Sequence, residues 1–74
     1  MFHFSKDTNK ISRYFISPGV CEQPDGKFQS AVSLKSGQGS ITQDTVYTFS
    51  KLFETAREAV EHAQLEGIQI ALSK

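Results

Sequence analysis

From Ile11 to Phe49 apolar residues recur at every second position with turn residues between the runs, which is the period of strands covered on one face. The clearest run is Phe28-Gln29-Ser30-Ala31-Val32-Ser33-Leu34-Lys35. Phe28, Val32 and Leu34 fall on one face, and Gln29, Ser33 and Lys35 on the other. Ahead of it, Arg13-Tyr14-Phe15-Ile16-Ser17 is rich in aromatic and β-branched residues, and Pro24-Asp25-Gly26 supplies a turn that joins the two runs as a hairpin. Pro18-Gly19 cuts into the first arm, so a bulge or an edge position is expected there, because proline cannot donate to a central ladder. Residues 36–44 are polar with two glycines and read as a mobile loop, leading into a third strand at Thr45-Val46-Tyr47-Thr48-Phe49. Phe2-His3-Phe4 also alternates and is a candidate fourth strand, with Lys6-Asp7-Thr8-Asn9 as its turn.

Beyond Phe53 the period changes. Thr55-Ala56-Arg57-Glu58 has the form of a capping box, in which the threonine hydroxyl accepts from the backbone three residues on and the glutamate reaches back. Ala56, Ala59, Val60 and Ala63 then fall on one helical stripe, so a helix is expected from Ala56 to about Glu66, with Gly67 as its left-handed C-terminal residue. Ile68-Gln69-Ile70-Ala71-Leu72 alternates again and reads as an extended tail. Alanines on the stripe let the helix approach the sheet closely, which leaves Tyr14, Ile16, Phe28, Val32, Leu34, Phe49 and Phe53 to fill the core. The fold class is therefore α+β: an antiparallel meander of three strands, four with the N-terminal segment, one C-terminal helix packed on one face, and a short extended C-terminal tail.

Composition narrows the classes. Residues 1–74 have room for one domain, and 38% hydrophobic with 22% charged residues is too apolar for disorder and too polar for a membrane span. The start, Met1-Phe2-His3-Phe4-Ser5-Lys6-Asp7, has neither the basic leader nor the apolar run of an export signal, and the single Cys21 has no second cysteine for a disulfide or a zinc site. A cytoplasmic setting without membrane contact is the expectation. A chain this short buries only about 60% of its unfolded surface, so it is expected to lean on a partner or a second copy. Eight basic and eight acidic residues cancel, yet residues 1–53 carry six cations against four anions while 54–66 carry one against four. The strand region is thus slightly basic and the helix acidic.

Catalytic chemistry finds little to work with. His3 and His62 stand at opposite ends of the chain without ligand-spaced cysteines or carboxylates, so no metal or other cofactor is expected. His62 has Glu58 and Glu66 four residues to either side, an arrangement of a solvated helix face. Cys21 lacks a neighbouring base or cation, no serine is framed as G-x-S-x-G, and Gly37-Gln38-Gly39 opens into a strand rather than a helix. A non-enzymatic domain follows. Phe15 and Val46 alternate onto the face opposite the core, and Leu65 projects away from the alanine stripe, so apolar surface is left over. The expected function is a protein-interaction or self-associating module, its partner a protein or a second copy bound through the open sheet or an edge strand, with Arg13, Phe15, Gln29 and Lys35 as the contact residues. The alternative is weak nucleic-acid binding by that same face, with Phe15 as a stacking platform.

At Asp25-Gly26-Lys27-Phe28, Phe49, Phe53-Glu54-Thr55-Ala56-Arg57-Glu58-Ala59 and Ala63 to Gly67 the chain resembles a family of small uncharacterised bacterial proteins. Similar segments occur as C-terminal extensions behind bacterial cold-shock domains, which implies a nucleic-acid context, although the aromatic RNA-binding motifs of that domain are absent from this chain. The Phe-x-Thr-x-x-Glu-Ala phrase at Phe53 to Ala59 also resembles the sheet-to-helix junction of integrase arm-binding and plant ethylene-response-factor DNA-binding domains. Their sheets are rich in Arg and Trp where this one has Ser, Gln and Thr, so their base-reading residues do not carry over. The resemblance implies a βββα layout in which Thr55 caps, Phe53 anchors and Gly67 terminates.

Overall fold

In the computed structural model, which describes residues 2–6, 8–38 and 41–73, the alternating segments form one antiparallel sheet and a helix lies across one of its faces. The strands are β1 (His3–Phe4), β2 (Asn9–Ile11), β3 (Tyr14–Glu22), β4 (Phe28–Gln38) and β5 (Ile41–Phe53), followed by α1 (Ala56–Ser73). β1 and β2 both pair with β3, β3 pairs with β4, and β4 with β5, so β5 is one edge of the sheet. The chain is α+β, with one C-terminal helix on an open antiparallel sheet. No helix among the described residues is long and apolar enough to cross a membrane.

Register places Ile16 opposite Leu34, Pro18 opposite Val32, and Val32 opposite Tyr47, so these side chains share the face that meets the helix. Ile16, Val32 and Leu34 are buried there with Ala63 and Ala71, and Tyr14, Tyr47, Phe49, Ile68 and Ile70 pack around them. Phe28 and Phe53 are cross-strand partners at one end of the sheet and only half-buried. The core is therefore an aliphatic centre closed at one end by rings, shorter than the sequence pattern implies. His62 belongs to that end: its ring lies 5.2 Å from Phe49 and 5.0 Å from Phe53, centroid to centroid, rather than on a solvated helix face.

The helix starts as its sequence dictates. The Glu58 amide donates to Thr55 Oγ1 at 3.2 Å, and the Thr55 hydroxyl donates to the Glu58 carboxylate at 3.1 Å. Its end differs from expectation, because α1 continues through Gly67 to Ser73 and the extended tail does not form. Ala59, Ala63, Gly67 and Ala71 make one buried stripe. A Cβ at Gly67 would stand 2.7 Å from Val32 Cγ2 and 2.9 Å from Ile16 Cγ2. Gly67 thus serves close helix-to-sheet packing in mid-helix, and burial of Ile68 and Ile70 against the core keeps the last turns helical despite their alternation.

Three expectations in the strand region are also revised. Pro18 neither ends β3 nor bulges it, and the strand runs straight through to Glu22 with Pro18 buried. The Pro18 carbonyl accepts from the Ser5 amide at 2.8 Å, on the side of β1 and β2. In an antiparallel ladder a residue's N–H and C=O point to the same neighbour, so the missing donor faces the gap between β1 and β2, where no ladder bond is lost. Residues 36–44 do not form a loop, since Lys35, Ser36 and Gly37 pair with Asp44, Gln43 and Thr42; Gly39 and Ser40 lie outside the described residues. Phe2-His3-Phe4 does contribute a strand, but Asn9 belongs to β2 rather than to a turn, and Asp7 lies outside the described residues.

Candidate functional site

The helix covers one face of the sheet, and the opposite face carries the alternate residues of each strand. On β3 these are Phe15, Ser17, Gly19 and Cys21, on β4 Gln29, Ala31, Ser33 and Lys35, and on β5 Asp44, Val46 and Thr48. Phe15 is 42% and Val46 51% exposed, too open for core residues. The middle of this face is built from small side chains, and Phe4 lies across it, because its ring occupies the space a side chain at Gly19 would need: a Cβ there would be 2.6 Å from Phe4 Cδ1. A shallow cleft of ≈ 480 Å³ runs from Phe4 past Ser17 and Ser33 to Phe15, Lys35 and Val46. A second cleft of ≈ 800 Å³ opens on the far side of Phe15, between Lys10, Ser12, Arg13, Ser36 and Gly37.

Of the four predicted contact residues, three come together. Phe15 and Lys35 are direct cross-strand partners, and Arg13, in the turn between β2 and β3, lines the cleft beside Phe15. Gln29 stands six residues from Lys35 along β4, about 20 Å away. Its side chain is engaged structurally, donating to the Phe49 carbonyl at 3.0 Å and accepting from Gln23 Nε2 at 3.3 Å. It sits where two steps of β4, Gln29 to Ala31, face four of β5, Leu52 to Thr48. The amide satisfies a carbonyl that this bulge removes from the ladder.

Sequence reasoning missed Lys10, whose ammonium lies 5.8 Å above the centre of the Phe15 ring. The pairing of Lys10 with Phe15 depends on a two-residue turn at Ser12-Arg13, and Ser12 adopts φ 58°, a conformation that ordinarily announces itself as Gly or Asn. Among the described residues the ion pairs are Lys27 with Glu54 and Arg57 with Glu61, so Lys10, Arg13 and Lys35 have no acidic partner there. Asp44, opposite Lys35, instead accepts a 2.6 Å hydrogen bond from the Ser33 hydroxyl.

The two edges of the sheet differ in kind. One is broken into β1 and β2, two and three residues long, and the interruption is pinned by the Ser17 hydroxyl, which donates to the Ser5 carbonyl at 2.7 Å. The other is β5, thirteen residues without Gly or Pro, rich in Thr, Val, Tyr and Phe. Its register with β4 is regular from Ile41 to Thr48, and α1 packs chiefly on β3 and β4, leaving that outer edge uncovered. No family model, no curated protein and no solved structure matches this chain.

Proposed function

We propose that this chain is a non-catalytic interaction domain that self-associates through the outer edge of β5. A long, regular edge strand presents a row of backbone donors and acceptors that an extended chain can complete, and proteins ordinarily blunt such edges with breaks, proline or inward charges. The β1/β2 edge carries that protection and the regular part of β5 does not. Its β-branched composition, with Asp44 as its single charge, favours further pairing. Non-catalytic use accords with how the polar side chains are engaged: Ser17, Ser33 and Gln29 each hold a structural hydrogen bond, and His62 is packed between two rings.

A second copy is the partner that fits this edge. Antiparallel pairing about a two-fold axis at Thr45 sets Thr45 opposite Thr45 of the partner subunit, Asp44 opposite Val46, and Thr42 opposite Thr48, so no like charges meet. Each copy would extend the other's sheet and add the buried area that a small core lacks. Thr45 is exposed and lies on the helix side of the sheet, opposite Leu34, away from Phe15.

Sedimentation equilibrium of the 74-residue chain tests this directly. Twice the monomer mass is expected at high protein concentration, with dimerisation about fivefold weaker in Thr45→Lys, where two ammonium groups would face each other across the axis. Mixing Thr45→Lys with Thr45→Glu is expected to restore a heterodimer. A monomer up to about 1 mM, or a dimer indifferent to both substitutions, would contradict the proposal.

A further inference from the structure

We infer that the cleft around Phe15 is a stacking site for a base of single-stranded nucleic acid, its phosphates held by Lys10, Arg13 and Lys35. This goes beyond self-association and does not depend on it. The three cations stand on three separate segments: β2, the Ser12-Arg13 turn and β4. The fold gathers them round one exposed ring, although they are scattered in sequence and the chain as a whole is neutral. None forms an ion pair among the described residues; Asp44, across from Lys35 in the adjoining cleft, accepts from the Ser33 hydroxyl instead. Beside Phe15 the second cleft is otherwise lined by the small residues Ser12, Ser36 and Gly37.

The chemistry of the ligand follows from these groups. An aromatic face flanked by cations attracts a planar, polarisable ring that carries anionic groups, and stacking on such a ring tolerates any base. A duplex keeps its bases in the stack and offers no free face, so single strands fit and double strands do not. A second exposed ring extends the track. Phe4 borders the adjoining cleft, opposite Gly19, four positions along β3 from Phe15, about 13 Å away. Three phosphate contacts without base-edge hydrogen bonding make a weak, sequence-tolerant, salt-sensitive binder.

Fluorescence anisotropy of a labelled oligothymidylate with the 74-residue chain tests the site. Binding at low salt is expected, weakening about twentyfold between about 50 and 200 mM salt for three neutralised phosphates. Phe15→Ala is expected to lose about tenfold in affinity, whereas Phe15→Tyr retains it, with circular dichroism confirming that both variants fold. Lys35→Gln is expected to flatten the salt dependence by about one phosphate. No binding at low salt, an affinity indifferent to Phe15→Ala, or equal binding of polyglutamate, the mark of a surface that reads charge alone or an acidic protein, would each overturn the inference.

Discussion

A methyl group at position 67 would press within 2.7 Å of Val32 and 2.9 Å of Ile16, two of the most deeply buried side chains in the molecule. Alanine is the better helix former by about 1 kcal/mol, but forcing a carbon into a packed interface costs about 1–3 kcal/mol. Gly67→Ala is therefore expected to lower the unfolding free energy by about 1 kcal/mol, measured by urea denaturation; a stabilised variant would mean that the helix stands farther from the sheet. Ser30 presents the reverse case. It is fully buried on the helix side of β4, and its hydroxyl has no hydrogen-bond partner among the described residues. An unsatisfied buried hydroxyl is a liability, so Ser30→Ala is expected to raise stability by about 1 kcal/mol, and a loss of that size would reveal a partner for the hydroxyl. Contact residues were legible to the extent that strand alternation alone determines them. Phe15, Lys35 and Val46 come from the period of two, whereas Lys10 depends on a turn whose positive φ falls on a serine.

At the scale of elements, legibility followed burial. β3 and β4 alternate because one face meets the helix, and their registers follow from the residues that must lie inward. Where the β4–β5 hairpin extends past the core, Ser36, Gly37, Thr42 and Gln43 pair through their backbones, and the hydrophobic period that marks a strand vanishes while the strand continues. Pro18 misleads for a related reason. Its missing donor is harmless only because the neighbouring edge is interrupted at that position, which no local reading of β3 reveals. The end of α1 fails differently: Ile68, Ile70 and Leu72 suit either period, and a glycine at the boundary fits both a helix cap and a close contact. Packing on Ile16 and Val32 decides between them.

For the whole molecule, composition and architecture pull in opposite directions. The chain is formally neutral, so no long-range field selects a partner. The sheet nevertheless concentrates three cations round one ring and leaves one of its two edges unprotected. The two features face different ways. The open face offers side chains, and the β5 edge offers backbone. Pairing about a two-fold axis normal to the sheet keeps both open faces on the same side, so a dimer would present two Phe15 clefts on one continuous surface. Rising salt is expected to weaken oligonucleotide binding steeply while leaving a hydrogen-bonded strand pairing nearly unchanged, which separates the two activities in one preparation.

The claim that β5 is an interface is tested most directly by amide hydrogen exchange along that strand at increasing protein concentration. On a free edge, the alternate amides pointing away from β4 exchange quickly. If β5 pairs with β5 of a second copy, those amides between Thr42 and Thr48 become protected as the dimer population rises, in step with the measured mass. Fast exchange at every concentration, or a dimer that leaves those amides unprotected, would contradict it.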